Sequence, residues 1–377
     1  MFIPKLKIIL ILVTFLLLTN CKKDPLVLIP AIDPLANDWN KNAEDAFGSL
    51  KSLYWNANKG LFYSDNYQDN HLNYWWQAHG LEAIIDESLR VKDDRYFTMI
   101  ADFYEGIQTA NNGFSNDYYD DMCWMAIALV RAYNLTGNDQ YLTTAKYLWG
   151  DIITGWNDSH GGGICWNKFT RDYKNTPSNA TAAILSFRLY QLTKEDKYLL
   201  MGEQILNWMQ ETLVDNVTGT VWDGIGRNGG NEIDYLWLFT YNQGIYIGAC
   251  VEYYNIVKDK FWITKAKKTA DNAIQLFSMN YRELKDEGKG DGGLFKGILI
   301  RYLKLLTNKE YIEQDKYNIY ASFIRKNSEI IWDRGKSSTY PYLFNHDWTR
   351  SPADAVDLSV ELSAVLLIEA TATLEVN

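Results

Sequence analysis

Cysteine and histidine are scarce in this chain of 377 residues, with four of each. Neither type occurs in a metal-binding pattern: no two cysteines have zinc-ligand spacing, and His71, His79, His160 and His346 form no recognisable motif. With Cys21 set aside, Cys123, Cys165 and Cys250 each sit among apolar or aromatic neighbours and read as buried thiols, not as a disulfide framework. Positive charge is also short. Lys and Arg number 37 against 47 Asp and Glu, a net charge of −10, and no basic face offers the counterion release that nucleic-acid binding requires. Alternating Val/Ile/Thr runs are few, which argues against a sheet protein. Gly224-Ile225-Gly226-Arg227-Asn228-Gly229 has the GxGxxG spacing, but no strand precedes it and no βαβ unit surrounds it, so it is not a dinucleotide cradle.

The long apolar run Ile8–Leu18 follows a basic start containing Lys5 and Lys7, and it is too short to cross a bilayer comfortably. It reads as an export signal over residues 1–20. Leu18-Thr19-Asn20-Cys21 resembles a lipobox, which would make Cys21 the lipid-modified first residue of an outer-membrane lipoprotein, on the cell surface or the periplasmic face. Lys22-Lys23-Asp24 is a weak address for either side. Losing residues 1–20 removes Lys5 and Lys7 and takes the net charge from −10 to −12. Residues 21–36, with Pro25, Pro30 and Pro34, read as a tether, and residues 37–377 as one folded domain. The membrane is then a partner only through the lipid, and the domain is expected to be a monomer.

Gly clusters punctuate long helical stretches. In order, the spacing predicts helices over 38–55 and 74–90, 94–110 and 121–135, 139–154 and 178–192, 196–213 and 235–256, 261–283 and 295–306, and 315–332 and 353–374. The second helix of each pair is the more apolar, and an aromatic-, Asn- or Gly-rich stretch leads into it. From Trp75 to Asp354 is 279 residues in five steps, a period of about 56, longer than the usual helical solenoid repeats. Six pairs with the greasier member inside predict an all-α fold, an (α/α)6 barrel, with an open solenoid as the alternative. In the closed ring the inner helices start at one rim, and a pocket forms there.

At one of those starts stands Tyr118-Tyr119-Asp120-Asp121-Met122-Cys123-Trp124. An Asp before an apolar helix is commonly an N-cap. Two adjacent carboxylates between aromatics also suit glycoside cleavage. Retaining hydrolysis needs a carboxylate nucleophile and a protonated acid about 5–5.5 Å apart, and mutual repulsion of such neighbours helps one keep its proton. The residues alone do not say which is which. The 14 Trp and 26 Tyr are numerous enough to supply sugar-stacking faces as well as core. Trp75, Tyr119, Trp166, Tyr241 and Trp348, at or near the helix starts, are the aromatics for which ligand contact weighs evenly against packing.

Tyr74-Trp75-Trp76-Gln77-Ala78-His79, Tyr119-Asp120-Asp121-Met122-Cys123-Trp124, Gly161-Gly162-Gly163-Ile164, Lys174-Asn175-Thr176-Pro177-Ser178-Asn179, Tyr241-Asn242-Gln243-Gly244 and Phe295-Lys296-Gly297-Ile298 with Arg301-Tyr302-Leu303 together resemble glycoside hydrolase family 76 over roughly residues 38–370. The resemblance implies an (α/α)6 barrel, no metal or other cofactor, and retaining, endo-acting hydrolysis of the α-1,6-mannan backbone of fungal cell-wall mannoprotein. It also implies Asp120 as nucleophile and Asp121 as acid/base. Asn167, Asn179, Asn242 and Lys296 join the five aromatics as expected substrate contacts. The chain departs from the family pattern at Cys165 and around Pro177, Ala180 and Thr181. A non-catalytic mannan-binding protein on the same fold is the second reading, and the intact Asp pair speaks against it. Epimerases of similar shape rely on His pairs, for which no matching positions exist here.

Overall fold

The computed structural model describes residues 37–308 and 310–374. The export signal, Cys21 and nearly all of the tether expected from the sequence lie outside them. Among the described residues twelve helices of fourteen residues or more alternate in role. The outer set is α1 (Trp39–Tyr54), α3 (Tyr96–Ala110), α5 (Asp139–Ile152), α7 (Asp196–Thr212), α9 (Lys260–Phe277) and α11 (Gln314–Ile330). The inner set is α2 (Tyr74–Val91), α4 (Tyr119–Thr136), α6 (Thr176–Thr193), α8 (Thr240–Val257), α10 (Gly292–Leu306) and α12 (Leu358–Leu374).

Burial explains which helices go where. In α9 the buried residues are Trp262, Ile263, Ala266, Thr269, Ala270, Ala273, Ile274 and Phe277, one stripe at three- and four-residue spacing. In α12 every residue except Thr373 is buried, as a helix surrounded on all sides requires. The inner helices pack in sequence, α2 on α4, α4 on α6, α6 on α8, α8 on α10 and α10 on α12, and α12 returns to α2. That last contact closes the ring and removes the open-solenoid alternative. Close approach within it depends on missing side chains: a Cβ on Gly244 would stand 2.7 Å from Leu299 Cα, and one on Gly297 would stand 2.7 Å from Ser363 Cα.

Three antiparallel pairs of two-residue strands complete the fold: the hairpins β1 (Trp55–Asn56) with β2 (Leu61–Phe62) and β5 (Ser278–Met279) with β6 (Glu283–Leu284), and β3 (Lys174–Asn175) with β4 (Gly224–Ile225), which are joined through α6 and α7. Two of the predicted boundaries move for identifiable reasons. The fifth outer helix stops at Phe277 instead of 283 because β5 and β6 turn the chain back. The fourth inner helix starts at Thr240 instead of 235 because Trp237 lies under the Arg227 guanidinium, 3.9 Å from the ring centre, in an irregular loop.

A cavity of about 780 Å³ opens where the inner helices end, not where they start. Its wall is an ion-pair cluster. Arg131 donates to Glu82 (3.2 Å) and Asp86, and Arg301 donates to Asp86 (2.7 Å), while Arg90 binds both Glu369 oxygens at 3.1 and 3.0 Å. Burial opposes ionisation of Glu82, yet Arg301, His79 and Arg131 together carry its carboxyl well below the ordinary range. Asn40 at the start of α1 lines the same cavity and accepts from Arg90 through its carbonyl at 3.3 Å. The chain therefore enters the ring at this end.

Candidate active site

Asp120 and Asp121 occupy the first turn of α4, at the opposite end of the ring. The N-cap is Tyr118, which makes no side-chain cap bond, so neither aspartate is a capping residue. The mouth is fixed by backbone pairing with the neighbouring loop: Tyr119 N–H donates to Trp166 O (2.9 Å) and Lys168 N–H to Asp117 O (2.9 Å). That loop is held in turn by Asn179, which accepts from Ile164 N–H (2.7 Å) and donates to the carbonyls of Ile164 and Asn175 (both 2.8 Å). Its glycines are needed. Gly163 has φ +86°, and a Cβ there would fall 2.7 Å from the Trp208 ring.

The two carboxyls have different surroundings. Asp120 is buried and accepts from Asn175 Nδ2 (3.3 Å) through one oxygen and from the Asp121 backbone N–H (3.1 Å) through the other. Burial pushes its carboxyl up to about 7 against these donors. Asp121, half-buried, accepts none of the side-chain hydrogen bonds found among the described residues. Burial first, then the charges of Asp120 and Asp291, raise its carboxyl well above the ordinary range. An acid that holds its proton beside a hydrogen-bonded carboxylate can perform both proton donation and nucleophilic attack.

Around the pair, Trp75 stands 6.4 Å from both Trp124 and Phe295, and Phe295 stacks on Tyr241 at 4.0 Å and 4°. Trp166 lies 5.1 Å from Tyr118 on the other side. Trp75, Trp166 and Tyr241 all keep exposed surface, as ring-stacking residues must.

Six of the expected substrate contacts are buried. Tyr119 is only 1% exposed and turns its hydroxyl to Thr154 (3.3 Å). Trp348, also 1% exposed, is covered by the Lys296 ammonium 4.2 Å from its ring, and Lys296 donates to the His346 carbonyl at 2.6 Å. Asn167 accepts from the backbone N–H groups of Phe169 (2.9 Å) and Thr170 (2.6 Å), and Asn242 donates to Asp223 (2.8 Å). With Asn179, these residues line the mouth from behind and keep little or no exposed surface.

Two carboxylates escaped the sequence analysis. Asp223 takes Asn242 on one oxygen and Tyr173 (2.9 Å) with Arg227 on the other, while Arg227 also binds Asp234 (2.9 Å). Its charge is felt by Asp120. Asp291, just ahead of α10, accepts from the indoles of Trp75 (3.0 Å) and Trp76 (3.1 Å) and is felt by Asp121. Both lie in Gly-rich stretches of the sequence, and nothing in their spacing distinguishes them from other loop acids.

The profile of glycosyl hydrolase family 76 matches residues 38–377, and the chain belongs to that family. Among solved structures it is similar to the α-1,6-mannanase of Salegentibacter sp. HEL1_6, 37% identical with a TM-score of 0.86, covering 89% of this chain and 100% of that one. An inactive variant of that enzyme, with two consecutive aspartates replaced by alanine, is seen in complex with α-1,6-mannotetrose (36% identical, TM-score 0.87, 90% and 100% covered). Among curated proteins it is similar to the mannan endo-1,6-alpha-mannosidase DCW1 of Candida albicans, 28% identical over 229 residues, 55% of this chain and 50% of that one. The DFG5 protein of Saccharomyces cerevisiae, named for the same activity, is 26% identical over 330 residues, 78% of this chain and 70% of that one. The chain spans about half the length of the first curated relatives it matches.

Proposed function

We propose that this chain is a retaining glycoside hydrolase that cleaves internal α-1,6-mannosidic bonds in a mannan backbone of the fungal cell-wall type. The observation that carries the reading is the unequal pair at the α4 start: Asp120 supplied with donors, Asp121 supplied with none and facing two other carboxylates. Asp120 attacks the anomeric carbon as the bond to the leaving oxygen breaks, and Asp121 gives its proton to that oxygen. Water then attacks the same carbon, Asp121 takes the water's proton, and the bond to Asp120 breaks to free it as a carboxylate. The positive end of α4 favours the anionic form of both residues when it is needed.

Asp120→Asn and Asp121→Asn, assayed on unbranched α-1,6-mannan, should each lose about 10³-fold or more. Wild-type-like rates in either variant would end the proposal. Azide separates the roles: rescue of Asp121→Ala should give α-mannosyl azide, and rescue of Asp120→Ala the β-anomer. Chain-internal action predicts a ladder of oligosaccharides early in the digest, not mannose alone. Display as a lipoprotein rests on residues 1–21, and labelling with radioactive palmitate that survives Cys21→Ser would sink it.

A further inference from the structure

Asp291 directly precedes α10, where an aspartate ordinarily accepts from its own helix's N–H groups. It makes no such bond. Instead one oxygen, Oδ1, receives both indole N–H groups, from Trp75 and Trp76 on α2, and no Lys or Arg pairs with it among the described residues. The backbone on either side is clamped. Gly290 N–H donates to Asp357 (2.8 Å), Ser359 donates to the Gly290 carbonyl (2.6 Å), and a Cβ on Gly292 would collide with the Glu287 carbonyl at 2.1 Å. The carboxylate is thus held from two sides, yet it is exposed.

Its position is also one-sided. Asp291 acts electrostatically on Asp121, whereas Asp223 acts on Asp120. One turn on from Asp291 in α10 is Phe295, the ring that continues the Trp75 platform. The acid's side of a retaining site is where the leaving sugar lies.

We propose that Asp291 is a further substrate-binding residue, whose second oxygen accepts a hydroxyl hydrogen bond from the mannosyl unit on the leaving-group side, over Trp75. This rests on the mannanase reading and adds to it the residue that holds the departing sugar. A carboxylate fixed by two indoles is a preorganised acceptor, and hydroxyl bonds to such charged groups are the stronger kind.

The test compares two substrates in Asp291→Asn. Linear α-1,6-mannotetraose places sugars on both sides of the cleaved bond, whereas 2,4-dinitrophenyl α-1,6-mannobioside has no sugar on the leaving side and needs no proton. The variant should lose about tenfold or more in kcat/KM on the tetraose and change little on the aryl substrate. Its alkaline limb on the tetraose should move to lower pH, since Asp121, faced by Asp120 on its own helix, Tyr74 on α2 and Asp291 before α10, loses one of its anionic neighbours. Titration of the tetraose into the Asp120→Asn, Asp121→Asn protein should likewise weaken when Asp291→Asn is added. Equal losses on both substrates would mark a structural role, and unchanged tetraose kinetics would remove Asp291 from the site. Either outcome leaves the parent activity standing, whereas a parent inactive on the tetraose would sink the mannanase reading itself.

Discussion

Asn175 donates to Asp120 from the start of the neighbouring inner helix, at 3.3 Å, while its own Oδ1 accepts from Ser178 N–H at 3.2 Å. One side chain therefore both caps α6 and steadies the carboxylate at the head of α4. This couples the barrel's architecture to its chemistry at a single residue.

Asn175→Ala should separate those roles. The lost hydrogen bond favoured ionised Asp120, so its carboxyl rises further above its ordinary value, and the acidic limb of kcat/KM moves to higher pH. Activity at pH 5 should fall more than activity on the alkaline side, and loss of the cap should cost about 1 kcal/mol in denaturant unfolding. A limb that stays in place would show that Asn175 only caps.

The partly exposed and buried aromatics should respond differently. Trp75→Ala removes platform and an Asp291 donor, and should raise KM for mannotetraose severalfold. Tyr119→Phe removes only the 3.3 Å contact to Thr154, and should leave KM unchanged. A KM effect in Tyr119→Phe would place it in the sugar-contacting set.

Glu361 in α12 accepts from Phe344 N–H (3.0 Å) through one oxygen, and the other oxygen has no partner among the described residues. Burial pushes its carboxyl up to about 8 from an ordinary 4.5. The folded chain thus holds this proton more tightly than the unfolded chain does. Its contribution is complete below about 4.5 and is lost as pH rises through about 8. Glu361→Gln should melt close to the parent at pH 5 and above it at pH 8.5. A difference in Tm that does not vary with pH would refute this.

At the far end of the ring, Arg131→Met leaves Glu82 and Asp86 short of a counter-charge. Removing one partner of a buried pair costs about 3–5 kcal/mol, which urea unfolding should report. Arg131 lies eleven residues, about 16 Å, along α4 from Asp120, so kcat per folded molecule should hold below the transition. A large fall in kcat without a fall in stability would show that the cluster reaches the active site.

The sequence disclosed the ring more completely than the mouth. All twelve helices follow from the alternation between one-stripe segments such as α9 and more apolar ones such as α12, because burial on one side or on all sides writes itself into residue spacing. The first turn of α10 was missed, since Gly292 and Gly293 look like loop when their reason is close packing against Glu287 and Val360. Asp120 and Asp121 were legible because they are adjacent. Asp223 and Asp291 were not, since they meet the pair only through long-range folding. Residue type alone also could not tell Asn242, sealed behind Asp223, from an asparagine facing a sugar.

Because Asn40 sits with the ends of the inner helices and Asp120 with their beginnings, the two are separated by nearly the length of an 18-residue helix, on the order of 25 Å. Anything attached ahead of Asp38 would sit behind the ring, on the face away from the aspartates. On the proposed mannanase reading, that leaves the front free for a polymer to cross.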